Sequence, residues 1–490
     1  MTENTDTHIK KVVTRFAPSP TGFMHIGSIR TALFAYLFAR KNNGTFILRI
    51  EDTDKEREVT GSIEHIIKSL SWIGIEWDYG PDKENPFGSC IQSERLDSYK
   101  AHALKLIEKG LAYPDPYTKE EVDMFRAQAE SEKKPFLFRD HRPEAFEVWD
   151  ETKPLRLKAP FIKRYTWQDA VRGELTAGEE AVDDIIIIKA DGYPTYNFAH
   201  IIDDLNMKVT HIMRGDEFIS SMPKFLSIYD SLEIPYPVFV TLPPILRDDR
   251  TKKLGKRDGA KDILDYKSEG FLPETMMNFL ALIGWNPGTE QELFSKEELI
   301  EAFDITKIQR SGGAFNEEKL LWMNKEYLQK TSLDTQCVYL QEALPESLLA
   351  SPLYSEAMLK RLVPTVIERI HVQTEIKEMA QAGEYDFAFF VPTTPFALLP
   401  WKNDTDQKAY IPRLEKAQEL LLNADFSSPE AIKSALWEYT EEIGRGELLW
   451  PLRVALTGKE KSPDPFISAY IIGKEQTLLR LKNACGTIEP

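Results

Sequence analysis

The chain has 490 residues, 42% of them hydrophobic and 28% charged, a balance that belongs to an ordinary globular protein and excludes a disordered one. Its length exceeds what one compact core can use and calls for roughly three or four domains. The net charge of −17, from 61 basic against 78 acidic side chains, counts by itself against a nucleic-acid partner, because phosphate contacts favour basic surfaces.

Residues 12–17 (VVTRFA) read as a buried strand, stopped by the breaker cluster Pro18-Ser19-Pro20-Thr21-Gly22. From about Ser28 a helix is predicted, since Ile29, Leu33, Tyr36 and Leu37 recur at helical spacing and Ala32 and Ala39 allow close packing. Gly44 ends it, and residues 45–50 form a second strand. Such a strand-loop-helix-strand unit belongs to doubly wound sheets, whose ligands lie beyond the carboxyl ends of the strands. Residues 17–27 and 51–54 should therefore meet at one crevice. From about Leu96 to Lys189 come Pro-rich turns, a charged helix over 118–133, and irregular basic and aromatic segments, which read as an inserted domain. The α/β pattern resumes with a helix over 196–202 and strands over 209–213 and 237–242, followed by a basic loop. Beyond Asp262 the chain reads as mainly helical, as at 273–283, 412–422 and 478–484.

The fold expected is therefore α/β, a Rossmann-type parallel-sheet catalytic domain (1–95 and 196–250) split by an inserted α+β domain (96–195). A region carrying the basic loop follows (251–325), and then an all-helical region (326–490). The start of the chain, with Glu3 and Asp6, lacks the basic and apolar pattern of a signal peptide, and the longest β-branched apolar run, 185–188, is far too short to span a membrane. Cys90, Cys337 and Cys485 are scattered and build no Cys-x-x-Cys pair, so neither a disulfide framework nor a Cys-rich zinc site is expected, and a reducing cytoplasm fits. The eight histidines are scattered too, and no metal site is expected.

Three constellations carry chemistry. In residues 17–28 (APSPTGFMHIGS) prolines and Gly22 shape a tight loop, and Gly27 allows a ligand close to the backbone at a helix start. Free N–H groups there, with His25 as an added donor, would stabilise the five-coordinate state of a phosphate under attack more than its ground state. An isolated His-x-Gly reads more readily as a capping or packing residue. Lys252-Lys253-Leu254-Gly255-Lys256-Arg257 places lysines on a loop that can follow departing phosphates. Arg15 and Arg214, each near the end of a strand, can reach the same crevice and hold a carboxylate, with Glu51 accepting from an ammonium group. They can equally pair with local acids such as Asp216 or Asp54. Residues 153–164 and 250–257 each hold five Lys or Arg and no acid, either strips that focus a polyanion or simply solvated loops.

On these residues the chain resembles the glutamyl-tRNA synthetases of bacterial type. Residues 15–33 resemble the start of that family, and Lys253-Leu254-Gly255-Lys256-Arg257 its form of the class I Lys-Met-Ser-Lys-Ser loop. Further matches are Arg49-Ile50-Glu51-Asp52-Thr53-Asp54, Gly192 to Ala199, Arg214-Gly215-Asp216-Glu217, and the stretches 315–324 and 450–458. The resemblance implies activation of L-glutamate with ATP and Mg²⁺, then transfer to the 3′-terminal adenosine of tRNA(Glu), with tRNA(Gln) as a second acceptor in some members. Arg15, Tyr196 and Arg214 would grip the side-chain carboxylate, with His200 nearby. Ala17, Ser19 and Glu51 would hold the α-amino end. His25, Gly27, Glu217, Lys253, Leu254 and Lys256 would serve ATP, with His25, Gly27, Lys253 and Lys256 closest to the chemistry. The insertion would bind the tRNA acceptor end and the helical region the anticodon, in a monomeric cytoplasmic enzyme that needs tRNA before it activates glutamate. Ser28 stands for a second class I His, Gly255 for the family's Ser, and Tyr113-Pro114-Asp115-Pro116-Tyr117 for a frequent zinc site, so no zinc is expected. His200 could instead simply pack beside Ile201. A small-molecule nucleotidyltransferase and a non-catalytic synthetase-like RNA-binding protein are the competing readings. The first leaves the lysine loop and helical region unexplained, and the second leaves the intact polar sets unexplained.

Overall fold

The computed structural model describes residues 11–255, 261–402, 404 and 406–486. They form two compact units, one reaching to Lys267 and including Pro273–Leu320, the other comprising Ser268–Leu272 and the residues from Leu321 onward.

In the first unit β1 (Val13–Phe16) pairs in parallel with β2 (Thr45–Leu48), and α1 (Ile26–Lys41) connects them. The apolar positions that predicted α1 are buried, including Ile29, Leu33, Tyr36 and Leu37. The helix begins two residues ahead of Ser28 because His25 acts as its N-cap, Nδ1 accepting from Gly27 N at 3.1 Å. β2 stops short of Ile50, whose N–H donates to Cys90 O rather than to β1. After α2 (Ser62–Trp72) and α3 (Leu96–Glu108) come β3 (Ala112–Pro114), α4 (Lys119–Ser131), β4 (Leu155–Leu157), β5 (Tyr165–Asp169), β6 (Gly173–Ala177) and β7 (Ile186–Ile188). α4 starts on a capping box between Thr118 and Glu121. β3, β4 and β7 make an antiparallel sheet of their own.

The core then resumes with α5 (Tyr196–Asn206), β8 (His211–Gly215), α6 (Met222–Leu232) and β9 (Val238–Leu242). β8 and β9 are parallel. β8 begins two residues later than predicted because Thr210 is used otherwise: its N–H donates to Val13 O at 2.9 Å and its hydroxyl accepts from Val13 N, setting β8 beside β1. The β5–β6 hairpin does not stay with the insertion. It joins the edge of β9, giving the order β6-β5-β9-β8. Asp169 fastens the joint, its buried carboxylate accepting from Thr241 N at 3.0 Å and Thr241 Oγ1 at 2.6 Å, while Arg310 Nε donates to Val171 O at 3.1 Å. The hydrophobic core is continuous across residue 96 as well, with Tyr99 and Leu106 of α3 and Trp167 of β5 in one cluster with Phe198, Phe225 and Phe239. Then follow β10 (Ile245–Leu246), α7 (Ile263–Glu269), α8 (Pro273–Leu282), α9 (Lys296–Ala302), β11 (Gly313–Ala314) and α10 (Glu317–Lys330).

The second unit is helical, with α11 (Leu333–Ala343), α12 (Glu346–Leu349), α13 (Glu356–Ile367), α14 (Gln373–Gln381), α15 (Asp386–Phe389), α16 (Tyr410–Leu422), α17 (Pro429–Ile443), α18 (Arg445–Thr457) and α19 (Pro465–Cys485). Pro412 sits within the first turn of α16, where a missing N–H costs nothing. Gly473, at φ 81°, divides α19 into two helical pieces, and the predicted 478–484 lies in the second. Arg480 is fully buried and donates to Phe387 O, Leu456 O and Phe390 O, which ties the ends of α15 and α18 to α19. Among the described residues no helix is long and apolar enough to cross a membrane.

Candidate active site

Where β1 and β8 end, a cleft of about 380 Å³ opens between them, the 17–25 loop, Glu51 and the start of α5. Of the residues singled out from sequence, Arg15, Ala17, Ser19, His25, Glu51, Tyr196, Arg214 and Glu217 line it. A second cavity of about 450 Å³ adjoins it, sharing His25 and Glu217 and adding Gly27, Lys253 and Leu254. Lys256 lies outside the described residues. His200 lines neither cavity. It is buried beneath the cleft, stacked on Tyr196 at 4.8 Å, with Nδ1 2.8 Å from Tyr196 O. Burial, reinforced by Arg214, lowers its ring pKa to about 3, so the imidazole is neutral at ordinary pH.

The floor of the cleft is a buried ion network that the spacing did not reveal. Asp204 of α5 accepts from Arg15 Nε at 3.1 Å, Arg15 Nη2 at 3.3 Å and Arg49 Nη1 at 2.7 Å. Glu51 accepts from Arg49 Nη2 at 2.9 Å. Asp203 accepts from Arg95 Nε at 2.7 Å, Gln92 Nε2 at 2.9 Å and the Tyr99 hydroxyl at 2.8 Å. Burial would raise the Asp204 carboxyl pKa, but Arg15 and Arg49 prevail and hold it below the usual carboxylate range. For Glu51 burial wins over the same two arginines, and its pKa is raised. The one available signal was the Asp203-Asp204 pair following the apolar Ile201-Ile202, with Arg15 and Arg49 inside the predicted strands 12–17 and 45–50: charges in buried elements must find one another.

Neither proposed local partner holds: Asp54 pairs with Arg57 and Asp216 with Arg172. Arg15, Arg49 and Arg95 are matched by Glu51, Asp203 and Asp204. Arg214 is the cation left over. It is buried and has no carboxylate partner among the described residues: Nη2 meets Met222 Sδ at 2.8 Å, Nη1 has no partner, and the guanidinium lies 4.6 Å from the centre of the Phe225 ring. Burial lowers its pKa, as expected of a charge awaiting a counter-ion. Burial also pushes the Tyr196 hydroxyl up to about 12, so it remains a neutral donor beside that charge.

At the start of α1 two of the amides expected to be free are engaged within the chain. Gly27 N donates to His25 Nδ1 and Ser28 N to His25 O. The imidazole packs close over Gly27: a Cβ there would lie 3.1 Å from two atoms of the His25 ring, so the ring would have to shift by a few tenths of an ångström. In the second cavity Lys253 Nζ lies 3.2 Å from Glu217, an exposed pair. The basic strip at 153–164 is largely consumed internally: Arg156 is buried against Asp115, Lys153 pairs with Glu147, and Lys163 pairs with Asp230. A third cavity, about 470 Å³, lies between residues 51–57 and 189–196 and shares Ser19, Glu51 and Tyr196 with the first. Among the described residues there is no group of three or more His, Cys, Asp or Glu side chains that could hold a metal.

Comparison with known proteins gives this arrangement its family. The catalytic domain of the tRNA synthetases class I (E and Q) matches residues 11–322, and an anticodon binding domain matches 336–485. The chain is 40% identical to a glutamate–tRNA ligase of Clostridium botulinum over 96% of its own length and 97% of the relative's. The chain belongs to the class I glutamate–tRNA ligases. A crystal structure of a glutamate tRNA ligase from Elizabethkingia meningosepticum, described as in complex with its amino acid, superposes on this synthetase with a TM-score of 0.85 at 33% identity, covering 98% of this chain and all of that one. The enzyme from Elizabethkingia anophelis superposes with a TM-score of 0.82. The α/β catalytic fold with a helical C-terminal half, read from the sequence, is the fold of these synthetases.

Proposed function

We propose that the first cleft of this glutamate–tRNA ligase receives L-glutamate and the second receives ATP, with His25 and Glu217 at their junction. The observation that carries this reading is Arg214, a buried cation whose missing counter-ion is the side-chain carboxylate of glutamate. Tyr196 donates to the same carboxylate, and Arg15, held by Asp204, presents its remaining edge. Ala17, Ser19 and Glu51 receive the α-amino end. His25, Gly27, Glu217, Lys253 and Leu254, joined by Lys256, serve ATP, and Mg²⁺ enters as the counter-ion of its phosphates and is part of that substrate.

The α-carboxylate of glutamate attacks the α-phosphorus of ATP in line, forming glutamyl-adenylate as pyrophosphate leaves. The terminal ribose 2′-hydroxyl then attacks the acyl carbon and AMP departs. Fixed charge and alignment supply the catalysis, with no covalent intermediate on the protein. The third cavity, open beside Glu51 and Tyr196, suits the terminal adenosine arriving over the 96–195 segment. The parts read as 1–95 and 196–250 form the catalytic core, 251–325 contacts the stem, and 326–490 reads the anticodon. The enzyme acts in the cytoplasm as a monomer on tRNA(Glu), and tRNA(Gln) is the second acceptor to be tested. Acylation with labelled glutamate and ATP, offering each tRNA separately, decides this: charging of tRNA(Glu) is expected, the tRNA(Gln) lane classifies the enzyme, and charging of neither by folded protein overturns the assignment.

A further inference from the structure

Helix α2 supplies an imidazole to the back of the 17–25 loop. His65 Nε2 lies 2.8 Å from Asp262 Oδ2, with side chains only 18% and 14% exposed. Asp262 stands where two chain segments meet. It forms a backbone bridge to His25, and Ile263 N donates to Met24 O at 3.0 Å. Its other oxygen, Oδ1, is separately engaged by Leu264 N at 2.8 Å, so the cap of α7 and the link to His65 use different atoms. On the loop side the Phe23 ring meets His65 edge-on at 5.3 Å, and α2 is tied to Pro20 O by Ser62 Oγ at 2.9 Å.

The consequence follows from what else holds the two cavities. Arg15 and Arg214 sit in strands, and Asp204 fixes Arg15 from within the core. His25 sits at the end of an irregular loop as the N-cap of α1: its carbonyl serves the first turn of that helix, accepting from Ser28 N and Ile29 N, and Asp262 bridges its backbone to a second chain segment. We propose that His65 is a positioning residue for adenylate formation. By donating to Asp262 it fixes the backbone of His25, and with it the wall shared by the two cavities. This rests on reading the second cavity as the ATP site. Without the imidazole, a half-buried carboxylate oxygen loses its donor and Asp262 turns towards water, loosening the bridge. The glutamate pocket, anchored elsewhere, is left as it was.

The test is ATP–pyrophosphate exchange by the full chain with tRNA(Glu) present, varying ATP and glutamate in turn. His65→Ala is expected to worsen kcat/KM for ATP by about five- to tenfold, with KM for glutamate and the thermal midpoint nearly unchanged. His65→Gln, whose amide can reach Asp262, should recover most of the loss. In a double-mutant cycle with Asp262→Ala the effects on ATP dependence should fall well short of additive. Unchanged ATP dependence in His65→Ala, an equal loss in His65→Gln, or an additive cycle would each overturn the role. Should His65→Ala not fold, His65→Leu fills the space without a donor and carries the same expectation. His25→Ala, measured alongside, separates the failures: if it too leaves ATP dependence unmoved, the ATP-site reading falls, and if it alone is impaired, only the positioning role falls.

Discussion

Replacing Arg214 by Met should separate stability from function. The side chain is 7% exposed, its Nη1 has no partner, and no carboxylate among the described residues neutralises it. An unsatisfied buried donor costs about 1–3 kcal/mol, and methionine, similar in length and apolar, removes that cost. The cation–π contacts with Phe218, Phe225 and Phe239 are lost in the same step, about 1–2 kcal/mol. The unliganded variant should therefore lie between about 1 kcal/mol less and about 2 kcal/mol more stable than the parent, instead of losing the ~3–5 kcal/mol that breaking a buried ion pair brings. Glutamate, by contrast, loses its charged partner, worth about 2–5 kcal/mol, and KM for glutamate should rise at least about 30-fold at 1.4 kcal/mol per decade. Urea unfolding without ligands and ATP–pyrophosphate exchange with tRNA present measure the two halves. A destabilisation beyond about 3 kcal/mol would show that the folded chain already supplies the counter-ion. An unaltered glutamate dependence would place the anion receptor elsewhere.

Asp204→Asn should behave in the opposite way, costing about 3–5 kcal/mol in urea unfolding because Arg15 and Arg49 are left with excess charge. Since the folded-state carboxyl is held below its ordinary range, its contribution is present above the ordinary aspartate pKa and lost as pH falls, so the stabilities of parent and variant should converge in acid. His200→Leu tests a depressed imidazole: with the ring at about 3 when folded and 6.5 when unfolded, the parent should lose about 2 kcal/mol between pH 7 and pH 5 that the variant does not lose, as seen by unfolding at the two pH values. Lys253→Ala should raise KM for ATP in pyrophosphate exchange while leaving KM for glutamate unchanged, and equal shifts in both would remove Lys253 from the phosphate site.

What the sequence made legible was periodic or local. The spacing of Ile29, Leu33 and Tyr36 marked α1, the Pro-Ser-Pro-Thr-Gly cluster marked the end of β1, and the strand ends so read placed Arg15, Glu51 and Arg214 at the cleft they do line, whereas Tyr196 was found there only through the family resemblance. What stayed hidden depended on long-range pairing. Arg15 and Asp204 are 189 residues apart in sequence, and no window of residues announces that α5 will sit under β1. Helix starts shifted for a related reason: His25 caps α1 with its own ring, a preference weaker in sequence statistics than that of Ser, Thr, Asp or Asn. Within the basic run at 153–164 the sequence could not show which side chains face inward, because charge sign does not report burial, and Arg156 turns inward.

Asp169 reaching across to Thr241 has a practical meaning for anyone building chimaeras. The stretch between residues 96 and 195 reads in the sequence as a cassette that could be exchanged between relatives. Its hairpin is nevertheless a strand of the catalytic sheet, locked by a hydroxyl and an amide from residue 241 and propped by Arg310. A cut at the cassette's ends would leave two of its fasteners in the recipient, facing whatever residues the donor happens to bring. Grafts that carry positions 241 and 310 along with the hairpin keep the sheet edge intact, and those that do not begin with a buried carboxylate in search of its donors.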